Sequence, residues 1–158
     1  ITLGRSHDTS EFSCDCFFNW WRRYGMRAYS NASEILLFCD CGGSNNYRHH
    51  IFKEDLQRLV NRIEIPIRIA HYPPYCSKYN PIEHRLFPHG TRACQGIVFQ
   101  TLEIIKQFIR KTCTRTGLRV TLNVLDREYK TERKATPEFL EAYPILFDEY
   151  LIRLFEFY

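Results

Sequence analysis

The chain has 158 residues, 44% of them hydrophobic and 15% aromatic, which is enough for one substantial core in a single domain. Its longest apolar runs, such as Ile35-Leu36-Leu37-Phe38-Cys39, are far too short to span a bilayer, and no basic-then-apolar leader precedes them. That pattern argues against a membrane protein and makes the cytoplasm the expected compartment. The formal charge of +4 is modest but unevenly spread: from Thr101 to Ala135 nine Lys/Arg face four Asp/Glu, and from Thr136 onward one Arg faces five acids. Such a basic segment suits nucleic-acid phosphates, and equally an ordinary solvated face. Seven cysteines, an odd number in a chain larger than disulfide-dependent scaffolds, read as reduced thiols, most of them small core residues.

The opening Ile1-Thr2-Leu3 has the character of a strand interior, so sequence upstream of it is expected. Asp8-Thr9-Ser10-Glu11 has the form of a capping box. Phe12, Cys16, Trp20 and Phe17, Trp21, Tyr24 then recur at helical spacing before Gly25, which predicts a helix with an aromatic core-facing stripe and a glycine stop. After the Ser30-Asn31 turn, the run from Glu34 to Cys39 is continuously apolar, as in a strand buried on both faces. It ends at Asp40, followed by Cys41-Gly42-Gly43-Ser44-Asn45, the position at which open α/β sheets bind ligands. Phe52, Leu56, Leu59, Val60 and Ile63 predict a helix from about Tyr47 to Ile63, with His49 and His50 at its exposed start.

Ile65, Ile67, Ile69 and His71 alternate with other residues as a strand does, and Tyr72-Pro73-Pro74 ends it. Asn80-Pro81-Ile82-Glu83 then has the form of a helix start, with an Asn cap, Pro in the first turn and Glu at the third position. Leu102, Ile105, Phe108 and Ile109 predict another helix, and Leu118, Val120, Leu122 and Val124 a strand. The aromatic, acidic tail from Pro137 to Tyr158 reads as a short helix broken at Pro144.

Hard divalent cations demand oxygen ligands, and phosphoryl-transfer enzymes hold two such ions about 4 Å apart on carboxylates at rigid scaffold ends. Asp40 and Glu83 meet that description. Each also has a plainer role: Asp40 can accept from the Gly42-Gly43 turn, and Glu83 can complete a capping box with Asn80. Lys78, Arg85 and Arg92 surround Glu83 in sequence and are candidates for contacts to a phosphate at such a site, although surface solvation explains each as well, while His84 suits a partner of a metal ligand. Ser44 and Asn45 are expected to order the turn beneath Asp40. Cys14/Cys16 and Cys39/Cys41 form two Cys-x-Cys pairs, one residue closer than the usual zinc-ligand spacing.

The segments Cys39-Asp-Cys-Gly-Gly-Ser-Asn45 and His71-Tyr-Pro-Pro-Tyr-Cys-Ser-Lys-Tyr-Asn-Pro-Ile-Glu-His-Arg-Leu-Phe-Pro-His89 resemble signature blocks of the DDE-type insertion-sequence transposases of the ISAzo family. Thr112–Val120 and His7–Phe12 are similar to it as well, and Asn80-Pro-Ile-Glu83 resembles the last-acid motif of the wider mariner-like superfamily. The resemblance implies an α/β fold, a ribonuclease-H-like mixed sheet flanked by helices, with the first strand or strands missing or partial. It covers the chain to about Leu151; the change in composition at Thr136 divides the chain into a partial DDE catalytic domain, residues 1–135, and a C-terminal aromatic, acidic tail, residues 136–158.

Asp40 and Glu83 match the second and third of three acids that bind two Mg2+ or Mn2+ ions, the first lying upstream of Ile1. Further expectations are double-stranded DNA as partner, a transient homodimer and a bacterial, nucleoid-associated location. The isolated fragment is expected to be inactive. Cys41, in place of a usual glycine, restricts its turn, and Gly90 is expected to weaken the helix carrying Glu83 by about 1 kcal/mol. Two non-enzymatic readings compete: a transposase remnant that only binds DNA or another protein, and a zinc-stabilised structural domain.

Overall fold

In the computed structural model, which describes residues 1–147 apart from 41, 74, 75, 77 and 78, the chain is an α/β protein with two short parallel sheets. Strand β1 (Thr2–Gly4) pairs in parallel with β4 (Asn123–Leu125), and β2 (Ile35–Cys39) with β3 (Ile67–His71). Among the described residues these pairs are separate sheets in place of one mixed sheet. An antiparallel contact is confined to an isolated bridge between Cys113 and Arg119. The strand expected over Leu118–Val124 shortens to β4 because its partner is only three residues long, with Thr2 opposite Asn123 and Gly4 opposite Leu125.

Helix α1 (Ser10–Trp20) is capped by Thr9, whose hydroxyl accepts from the Phe12 N–H at 3.2 Å. Glu11 does not close a capping box, because Arg127 and Arg133 hold its carboxylate. The helix does not stop at Gly25 either. It continues through a π-helical segment (Trp21–Gly25) into α2 (Met26–Ala28), and Gly25 keeps a helical φ of −58°. A Cβ there would collide with the Trp21 ring, so this glycine serves close packing. The aromatic stripe divides accordingly: Trp21 is 5% exposed, whereas Trp20 and Tyr24 are 40% and 41% exposed and face solvent.

Between β2 and β3 runs α3 (His50–Ile63), which supplies the core. Leu59, Phe52 and Leu56 pack with Cys14 of α1, and Cys39, Ile63, Ile67 and Ile69 close over them. The opposite face of β2 carries Leu36 and Phe38, 51% and 60% exposed, so the strand is covered on one face and not on both. Beyond β3 follow α4 (Pro81–Arg85), α5 (Phe87–Cys94), α6 (Leu102–Arg110) and α7 (Pro137–Ala142). Tyr143 ends α7 in the left-handed region, directly before Pro144. No helix among the described residues is long and apolar enough to cross a membrane.

Three acids are as buried as the core: Asp15, Glu54 and Asp55 are 8%, 4% and 3% exposed. Asp15 accepts from Arg62 at 2.9 Å, Arg127 at 2.8 Å and the Tyr129 hydroxyl at 3.0 Å. Asp55 takes a bidentate pair from Arg133, at 2.9 and 3.0 Å, and a bond from Ser10. Glu54 accepts from the N–H and hydroxyl of Thr136, the residue that caps α7. Part of the basic excess between residues 101 and 135 is therefore neutralised inside the fold. Removing one partner of a buried pair strands the other charge. Asp55→Ala is expected to lower the unfolding free energy by about 3 kcal/mol in chemical denaturation. Arg5→Ala, which breaks only an exposed pair with Asp126, is expected to change it by less than about 1 kcal/mol.

Candidate functional site

Strand β2 delivers Asp40 to the C-terminal end of its sheet, where Cys39 lies opposite His71 and the Tyr72 N–H donates to the Cys39 carbonyl at 2.8 Å. The chain segment that leads to Glu83 therefore leaves the sheet beside the residue that precedes Asp40. Asp40 is exposed, and its Oδ1 accepts from the Gly42 N–H and the Asn45 side-chain amide, both at 2.9 Å. The Gly42 N–H first, and then the Asn45 amide, hold the Asp40 carboxyl below the ordinary carboxylate range. A Cβ at Gly42 would come within 3.0 Å of Asp40 Oδ1, which explains a glycine at that position.

The turn is braced on two sides. The Asn45 carbonyl accepts from His71 Nε2 at 3.0 Å, and the Ser13 hydroxyl of α1 donates to the Ser44 hydroxyl at 3.5 Å. Gly43, Ser44 and Asn45 form a 3-10 turn directly after the Asp40 strand end. His71, expected only as the last residue of a strand, positions Asn45, with its ring tilted against Tyr47 and edge-on to Phe52. Its signal in the sequence is that place, at the end of a strand paired with the one ending at Asp40.

Glu83 lies at the third position of α4, which begins as expected with Asn80 as cap and Pro81 at its first turn. The Asn80 side chain accepts from the Ile82 N–H at 3.2 Å, while the Glu83 N–H bonds the Asn80 carbonyl at 3.1 Å. The reciprocal bond of a capping box is not made, and the half-buried Glu83 side chain is not engaged by the cap. Arg85 and Arg92 are exposed on α4 and α5, as is His84 on α4. Lys78 and Cys41 lie outside the described residues. Gly90 sits in α5 and not in the helix of Glu83, because the helix breaks at Leu86, just before Pro88.

The structure thus brings together Asp40, Gly42, Asn45 and His71, and places Glu83 on a separate short helix. Among the described residues no three His, Cys, Asp or Glu side chains converge as a metal site. The donor chemistry at Asp40 nevertheless fits a hard cation: an ionised, exposed carboxylate stands beside Asn45 Oδ1, a buried oxygen with no hydrogen-bond partner. Cys14 packs in the apolar core with Phe52, Leu56 and Leu59, and burial pushes its thiol up and moves the Cys16 thiol up to about 11.

The chain matches a protein family described as the Rhodopirellula transposase DDE domain over residues 1–155. No curated protein and no solved structure matches it.

Because its folded pKa is depressed, the ionised Asp40 stabilises the turn above the unfolded carboxylate pKa of about 4, and this contribution is lost as pH falls through the lower folded value. Asn45→Ala is expected to raise the Asp40 carboxyl toward the ordinary range in an NMR carboxyl titration. An unmoved titration would show that the Asn45 amide does not set it.

Proposed function

We propose that this chain, which belongs to the transposase DDE-domain family, forms part of the catalytic core that cuts and joins DNA phosphodiesters at the ends of an insertion sequence. Family membership carries the DNA substrate. The observation that supports the site is an Asp40 exposed at a strand end with its carboxylate held ionised by two hydrogen bonds; Glu83, on its separate helix, is left out of the helix cap. Both acids are oxygen donors at fixed backbone positions, which suits Mg2+ or Mn2+.

On this reading the fold is the ribonuclease-H-like arrangement of the mariner-like superfamily, with β2 and β3 as neighbouring parallel strands. Asp40 is the second acid and Glu83 the third. A further carboxylate, from outside the described residues, completes the set. When bound, the two ions supply activation of the attacking oxygen and stabilisation of the leaving one. The chain's own residues hold and orient: Gly42 and Asn45 keep Asp40 ionised, His71 fixes Asn45, and Pro81 and Asn80 set the start of the Glu83 helix. Arg85, Arg92 and Lys78 are cationic groups on the Glu83 side suited to flanking phosphates. Bringing two element ends together implies a transient homodimer on double-stranded DNA.

A remnant that binds DNA without cutting it is the second reading, favoured by the absence of a converged three-ligand cluster among the described residues. Strand-transfer assays on the full-length polypeptide with Mg2+ or Mn2+ separate the two. Asp40→Ala and Glu83→Ala are each expected to reduce the rate by more than the roughly 10–100-fold typical of losing an outer-shell partner. Unchanged strand transfer in both variants would sink the site assignment, and DNA binding with no cleavage in the wild type would favour the remnant.

A further inference from the structure

From Cys16 to Ser33 the chain carries three arginines, Arg22, Arg23 and Arg27, and no Asp or Glu. All three are exposed on the helical rod formed by α1, the π-helical segment and α2. None is engaged in an ion pair among the described residues; Arg23 hydrogen-bonds the Asn123 side chain. Beside them Trp20, Tyr24, Met26 and Tyr29 are 40%, 41%, 55% and 59% exposed. The rings are ordered by one another: Trp20 lies 5.3 Å from Phe17 and 6.4 Å from Tyr29, centroid to centroid. Trp21 is wedged against Gly25 and buried, which anchors the rod and leaves Trp20 outward.

Trp20 and Tyr24, and Arg23 and Arg27, are each one turn apart on the rod and share one face, and exposed rings beside guanidinium groups outside any ion pair are complementary to a ligand that alternates anionic phosphates with flat bases. Stacking requires those bases to be unpaired, whereas a duplex offers only its phosphates. The π-helical segment in the middle of the rod is a rare feature that is frequent at functional sites. We propose that the Trp20–Tyr29 surface binds single-stranded DNA, with Arg23 and Arg27 on the phosphates and Trp20 and Tyr24 against the bases. The inference rests on the transposase reading for the identity of the polyanion and adds a strand-binding surface apart from Asp40 and Glu83.

The test is titration of the purified chain with a fluorescent single-stranded 20-mer and with the matching duplex over a range of salt. Arg23→Gln/Arg27→Gln is expected to weaken single-strand binding about tenfold and to flatten the dependence of log K on log salt by about 1.4, because two phosphates are no longer neutralised. Trp20 emission should be quenched by the single strand, and Trp20→Phe should abolish the quenching while the buried Trp21 keeps its near-ultraviolet signal. Equal affinity and slope in the arginine variant would overturn the proposal, as would equal binding of duplex with Trp20 unquenched. So would a preference for phosphatidylserine vesicles over DNA, or self-association through this face without DNA affinity. If the arginine variant binds normally while strand transfer still depends on Asp40, only this surface assignment fails. If the surface behaves as stated while Asp40→Ala is fully active, only the metal-site reading fails.

Discussion

The pairing of Asp15 and Asp55 with arginines from distant parts of the chain is the constraint on which the rest of the structure depends. Buried hydrophobic side chains among the described residues are few, and these carboxylates are sealed as deeply as the apolar core around Leu59. A buried charge without a partner costs several kcal/mol, so the arginines are obligatory for this packing. Two of them, Arg127 and Arg133, lie more than 75 residues from the acids they meet. Their arrival draws the segment after β4 across α1 and α3, and β4 pairs with β1 just before it. Burial would raise the Asp15 carboxyl, but bonds from Arg62, Tyr129 and Arg127 outweigh it and hold the group below its ordinary range. The clamp is therefore strongest above the unfolded carboxylate pKa and weakens as pH falls through the depressed folded value.

That clamp reaches the candidate site through α1 and α3. Ser10, next to the cap of α1, donates to Asp55 of α3, and one turn later Ser13 donates to Ser44 in the turn after Asp40. On its other face α3 packs against β2 and β3, whose register sets Cys39 opposite His71. The Asp40 turn is thus held between a helix and a strand end that are themselves locked together. A loop can keep a carboxylate in one orientation only when its neighbours have no freedom to move.

The elements that were legible in the sequence are those whose signal is local. The period of Phe52, Leu56, Leu59 and Ile63 gives α3, and Asn80-Pro81 gives the start of α4. The DDE family is legible in the blocks around Asp40 and Glu83. What the sequence does not display is the choice among partners. The apolar run of β2 looks the same whether one face or two are covered, so the exposure of Leu36 and Phe38 could not be read from it. Gly25 looks like a helix stop, yet close packing against Trp21 is its use. Glu11 looks like half of a capping box, but Arg127 and Arg133 offer a full charge where the cap offers only an N–H. Each of these outcomes is decided by residues remote in sequence.

The electrostatic design of the Asp40 turn bears on which chemistry it can serve. A general acid or base works best with a pKa near the working pH, which carboxylates reach through burial or a like charge. Asp40 has the opposite environment: it is exposed and stabilised as an anion by the Gly42 N–H and the Asn45 amide. A carboxylate so held is a weak base at neutral pH and a persistent negative charge at a fixed place. The plain turn-forming role predicts the same two bonds, but both fall on Oδ1 and leave Oδ2 with lone pairs for another partner. With Asn45 Oδ1 buried and unpartnered beside it, the turn carries more oxygen-donor capacity than its own folding uses. A free Oδ2 on a permanent anion suits charge pairing with a cation better than proton transfer, which is the sense in which the metal reading is proposed.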